Sequence, residues 1–165
     1  MIVTMKTLNL TVIVMILLLW GCDRETLQPT IRFDDASKCE GPELKSIQDI
    51  ATTQDCIQYD YQDNVMTIKH VNAGFNCCPE GFNVCLTVSG DTLIISESEN
   101  SSLCDCCCLF DLDYTLSDIS SGTWWIKVNE PYLHGSDDEP ILFTVNLKKN
   151  PSGEKCFARN SYPWQ

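Results

Sequence analysis

Positive charge is scarce in this chain. Eleven Lys and Arg stand against 23 Asp and Glu, and the formal net charge is −12. Such a chain is repelled by phosphate backbones, and no basic patch with interleaved aromatics offsets the repulsion. No nucleic-acid partner is expected. Histidine is scarcer still, at two residues, His70 and His134. There is no nucleophile elbow, no zinc-protease helix and no phosphate-cradling glycine loop, so an enzyme is not expected. Internal repeats and low-complexity tracts are absent as well. The apolar run from Leu8 to Trp20 spans 13 residues, interrupted only by Asn9 and Thr11. As a helix it would reach about 20 Å, short of the roughly 20 residues a bilayer core requires.

That run follows Lys6 and closes in Leu18-Leu19-Trp20-Gly21-Cys22. A basic start, a short apolar core and a small residue before a cut describe an export signal. A general secretory cut prefers small residues at the first and third upstream positions, and Leu19 fits the third poorly. Leu19, Gly21 and Cys22 resemble instead the lipobox of bacterial lipoproteins. The resemblance implies cleavage before Cys22 and acylation of its thiol, with palmitate-type chains as the membrane anchor. It also implies the bacterial cell envelope, and the outer membrane or cell surface rather than the inner membrane. Residues 1–21 are then a leader, 22–55 a lipidated tether and partly ordered lead-in, and 56–165 the folded domain. Within the lead-in, Leu44, Ile47 and Ile50 are spaced by three, as in one or two helical turns.

From Cys56 onward the hydrophobic period is two. Ile57, Tyr59 and Tyr61 alternate with polar residues. Past the Gln62-Asp63-Asn64 turn, Met66, Ile68 and His70 share a face. A second hairpin joins Val84, Leu86 and Val88 to Leu93 and Ile95 through Ser89-Gly90-Asp91. Phe110, Leu112, Tyr114 and Leu116 mark a long strand. Trp124, Ile126 and Val128 mark another, as do Ile141, Phe143, Val145 and Leu147. Seven strands at this spacing predict an all-β fold, a single antiparallel β-sandwich with one face of each sheet buried. The segment from Tyr114 to Val128 resembles the strand–turn–strand unit of immunoglobulin-like and transthyretin-like sandwiches. With the lipobox and the cysteine content, the whole chain resembles small uncharacterised cysteine-rich lipoproteins of Bacteroidetes-type bacteria. That resemblance implies no specific activity.

Of the 11 cysteines, ten remain beyond Cys22: Cys39, Cys56, Cys77, Cys78, Cys85, Cys104, Cys106, Cys107, Cys108 and Cys156. An even, dense set in an exported chain favours disulfides. Cys104, Cys106 and Cys108 would continue the Phe110 face, with Cys107 pointing the other way. Same-face neighbours in a strand lie roughly 6.6 Å apart with parallel side chains, so they do not readily bond to one another. Each needs a partner elsewhere, and Cys77, Cys78 and Cys85 are the natural ones, leaving Cys39, Cys56 and Cys156 to fasten the ends. The alternative is a shared Cu or Zn ion held by Cys77, Cys78, Cys104, Cys106 and Cys108, with His70. Otherwise His70 is a hydrogen-bonded core or rim residue.

His134 sits among Asp137, Asp138 and Glu139 in a run read as a solvated loop, since it lacks the spaced carboxylates of a calcium site. Trp124 fits the core. Trp125 faces the other way, where an exposed ring could meet a protein or glycan partner. Asp91-Thr92-Leu93 resembles a three-residue O-glycosylation motif of Bacteroidetes envelope proteins, which would put a glycan on Thr92. The expectation is a lipid-anchored, disulfide-stapled, non-enzymatic binding or structural module without a cofactor, the alternative being an envelope metal-binding protein.

Overall fold

The computed structural model describes residues 28–39, 50–101, 104–133 and 139–160. These residues form two packed sheets, which makes the fold an all-β sandwich. The first sheet holds β1 (Thr30–Ala36), β2 (Gln54–Gln62), β3 (Val65–Asn76), β6 (Cys107–Ser117) and β9 (Ser152–Ala158), in the order β1-β6-β3-β2-β9. The second holds β4 (Phe82–Ser89), β5 (Thr92–Glu99), β7 (Thr123–Asn129) and β8 (Ile141–Asn146), in that order.

The seven expected strands are all present, as β2 to β8, and two more flank them. β1 lies inside the stretch expected to be tether and lead-in, so the sandwich begins before residue 56. Its Ile31 and Phe33 pack against the core while Arg32 and Asp34 face solvent, and it pairs antiparallel with β6. The other, β9, pairs with β2 at the opposite edge. One pairing departs from the antiparallel expectation. β5 and β7 run parallel, because β6 crosses to the other sheet between them.

The inward faces follow the period-two pattern. Met66 and Ile68 from β3, Leu112, Tyr114 and Leu116 from β6, Leu93 and Ile95 from β5, and Ile126 from β7 are all almost fully buried. The β2–β3 turn is tight, with Asp63 and Asn64 both at positive φ, which matches the twist of the strands it joins. At β3 the register against β6 slips between His70 and Ala73, and Asn72 within the slip has a φ of 68°. This β-bulge shifts the alternation by one, so that Ala73 and Phe75 continue the inward face that Met66, Ile68 and His70 began. The Asn72 side chain fixes the bend by donating to the carbonyls of Ala51 and Gln54, at 3.1 and 2.6 Å.

Cys22, the Leu44 and Ile47 positions, and the run from His134 to Asp138 lie outside the described residues.

Candidate functional site

Eight cysteines form four disulfides: Cys39–Cys108, Cys56–Cys156, Cys77–Cys106 and Cys78–Cys104. Cys77 and Cys78 do reach the Cys104–Cys108 segment, as the spacing predicts. Cys85 and Cys107 correct the expectation that all ten are bridged. β4 turns Phe82, Val84 and Leu86 toward the core, so Cys85 between them faces solvent, away from the other cysteines. Cys107 opens β6 opposite Asn76, and the alternation of the strand sends it away from Cys108, which is buried and bonded to Cys39. Cys104 and Cys106 precede the strand rather than extend it.

The sulfurs of Cys77, Cys78, Cys104 and Cys106 all lie within 4.8 Å of one another. Two of the six residues considered as a metal set do not join them. Cys108 is tied to Cys39, and His70 belongs to a different cluster in the core.

That second cluster is a set of charged side chains between the sheets. His70, midway along β3, is fully buried. Its Nε2 faces Asp55 Oδ1 of β2 at 2.7 Å, and its Nδ1 faces the two oxygens of Glu97 on β5 at 2.9 and 3.0 Å. A ring with a carboxylate at each nitrogen needs a proton on both. Burial alone would push the His70 pKa down, but Glu97 and Asp55 outweigh it and hold the pKa well above its ordinary value. Arg159, just past β9, donates from Nε and Nη2 to Asp55 Oδ2 and from Nη1 to the Glu139 carbonyl. The Tyr114 hydroxyl of β6 donates to Glu97 at 3.1 Å.

Glu130, directly after β7, is the fifth charged-type member. Its Oε1 accepts the Gly74 amide at 2.8 Å and lies 4.0 Å from His70 Nε2, while Oε2 has no hydrogen-bond partner among the described residues. Burial raises the Glu130 pKa well above the ordinary carboxyl value, and Asp55 and Glu97 add to the rise against the opposing pull of His70. A protonated Glu130 makes the cluster neutral: two cations, His70 and Arg159, face two carboxylates, Asp55 and Glu97. Asp55, His70 and Tyr114 come from the five-stranded sheet, and Glu97 and Glu130 from the other, so the network fixes how the sheets face each other. Asp55, His70 and Glu130 also have ligand atoms within 4.8 Å of one another, but each is sealed from solvent.

The sequence flagged only His70. Its partners lie far apart in the chain, and no spacing links them. The available signal was misplaced polarity: Glu97 occupies an inward position in the Leu93-x-Ile95 alternation, where an apolar residue was due.

On the surface, Trp124 is partly buried beside the core and Trp125 is 41% exposed. Trp125 stands opposite Thr144 on β8, and Leu142, two residues along, is 44% exposed. Both line a groove of about 390 Å³ where the edges of β8 and β9 meet, walled by Tyr59, Glu154 and Lys155. A second hollow of about 350 Å³ lies across the outer face of the five-stranded sheet and carries Asp34, Asp60 and Asp113 beside Lys69. Thr92 begins β5 at the two-residue Gly90–Asp91 turn and is partly exposed.

A scan against family models, a search of curated proteins and a search of solved structures each find no match to this chain.

Proposed function

We propose that this protein is a lipid-anchored module of a bacterial cell envelope that works by binding or by structural support rather than by catalysis. The observation that carries the reading is the set of four disulfides, which belongs to an oxidising compartment. Lys6, the short apolar run and Leu19-Trp20-Gly21-Cys22 supply the route there and the anchor, with diacylglycerol on Cys22. The sealing of the His70 cluster supports a non-catalytic role. General acid–base work needs substrate within hydrogen-bond reach of the titrating group, and His70 and Asp55 have no exposed surface.

The exposed pair Trp125 and Leu142 is the element we assign to a protein or glycan partner, since a half-exposed indole offers stacking area at low entropic cost. The acidic balance keeps the domain soluble and clear of anionic lipid headgroups.

Replacing Cys22 by Ser tests the anchor. The variant should leave the membrane fraction and appear soluble, because a leader this short does not hold by itself. Continued membrane association of Cys22→Ser would refute the anchor.

A further inference from the structure

Two disulfides need only two sulfur pairs at bonding distance. At the end of β3 all four sulfurs converge, each within 4.8 Å of the other three. Four thiolates around one zinc ion, with zinc–sulfur bonds of about 2.3 Å, sit about 3.8 Å apart at tetrahedral angles. The four sulfurs already occupy a space of that size.

The segments that carry them are held by bonds that do not involve sulfur. Asn76, 5% exposed, donates from Nδ2 to the Cys104 carbonyl at 2.5 Å and accepts from the Cys78 amide at 3.0 Å. Its own amide donates to Glu99 at 2.8 Å. The Cys77 amide donates to the Cys106 carbonyl at 3.1 Å, and the β3–β6 ladder runs up to Asn76 opposite Cys107. The two segments therefore stay opposed whether or not the S–S bonds exist. Both bridges are open to solvent at one end: Cys78 and Cys106 are exposed, as is Cys39 of the Cys39–Cys108 bridge, whereas Cys56–Cys156 has no exposed residue. A soluble reductant reaches this pair of bridges before it reaches Cys56–Cys156.

We propose that Cys77, Cys78, Cys104 and Cys106 form a redox-gated zinc site, two disulfides when oxidised and four thiolates around one Zn²⁺ when reduced. A dithiol reductant opens each bridge. Its thiolate attacks one sulfur, the protein S–S bond breaks as a mixed disulfide forms, and its second thiol then closes on the first. Two dithiols leave as two cyclic disulfides, and four cysteine thiols remain. Zn²⁺ binds the four sulfurs and four protons are released. A sulfur-only tetrahedral donor set selects zinc over hard cations such as Mg²⁺ and Ca²⁺. The inference is independent of the lipid anchor and of the Trp125 surface.

The test uses the full chain, purified oxidised, then treated with a limiting dose of dithiothreitol and dialysed without oxygen against Zn²⁺ or Co²⁺. Reduced protein should retain one metal per chain. The cobalt form should show intense sulfur-to-metal charge transfer and tetrahedral d–d bands, with Cys56–Cys156 still bridged by mass mapping. Oxidised protein should retain none. Replacing Cys104 and Cys106 together by Ser should abolish retention, and replacing Cys39 and Cys108 together by Ser should leave it unchanged. Failure of the reduced wild-type chain to hold metal would overturn the proposal. So would a cobalt spectrum typical of oxygen ligands, or retention that appears only after the far-ultraviolet β signal is lost. These three readouts use the unmutated protein and do not depend on any variant folding.

Discussion

Glu130→Gln isolates one buried proton. Folded Glu130 keeps its proton above the ordinary carboxyl value of 4.5, because burial and the nearby Asp55 and Glu97 disfavour its charge. The unfolded chain releases that proton near the ordinary value. A group whose folded pKa is raised contributes stability that is complete below the unfolded pKa and is lost as pH rises through the folded one. Each pH unit inside that window therefore costs the wild type about 1.4 kcal/mol from this group alone. Gln has the shape of the protonated acid and still offers a carbonyl oxygen to the Gly74 amide. It carries no titrating proton, so the variant loses this slope. Urea unfolding with disulfides intact, stepped from about pH 5 upward, gives both profiles. The variant should gain on the wild type by about 1.4 kcal/mol per pH unit as pH rises. Parallel profiles would refute the assignment of a retained proton to Glu130.

The other predictions concern single features. His70→Leu strips Asp55 and Glu97 of their shared cation in a closed core and should cost about 3–5 kcal/mol, read by urea unfolding near neutral pH. The same linkage sign holds for His70, whose raised pKa makes its contribution complete below about 6.5 and lost as pH rises through the folded value, so the cost of His70→Leu should shrink in alkali. Replacing Cys56 and Cys156 together by Ala opens a loop of sequence separation 100 and should cost about 4.7 kcal/mol, a drop visible as a large fall in thermal midpoint. Trp125→Ala, on the exposed outer face, should change stability by no more than about 0.5 kcal/mol while removing partner capture in a glycan- or peptide-array assay.

The seven strands β2 to β8 were legible because each alternates apolar and polar residues, and the sandwich buries one face of each sheet. The two edges of the five-stranded sheet, β1 and β9, were not. β1 has only Ile31, Phe33 and the small Ala36 to set against the core and a register break between Phe33 and Asp35, so it blends into the polar lead-in. β9 is mostly exposed and buries little beyond Phe157. Its Gly153 lies against Tyr59, and a β-carbon there would approach the Tyr59 hydroxyl to 2.8 Å. That requirement is tertiary and leaves no local trace. The parallel β5–β7 pair was hidden for a related reason, since period two is the same in either strand direction. The cysteine cluster was half legible. Spacing brought Cys77 and Cys78 to the Cys104 segment, but only the geometry of β4 shows why Cys85 stays outside it. The His70 network was illegible beyond its histidine, since nothing local ties residues 55, 70, 97, 130 and 159.

The order of the bridges along the chain has a consequence for biosynthesis. Among the described residues, no bridge joins two cysteines that are consecutive in the sequence. When a chain emerges amino end first, seven further cysteines follow Cys56 before Cys156 appears. Cys39 likewise passes a succession of candidates before Cys108. Pairing in order of appearance would trap the chain in wrong links at nearly every step. Its maturation thus requires repeated exchange of early links, so yield should follow the supply of disulfide isomerase more closely than the supply of oxidant.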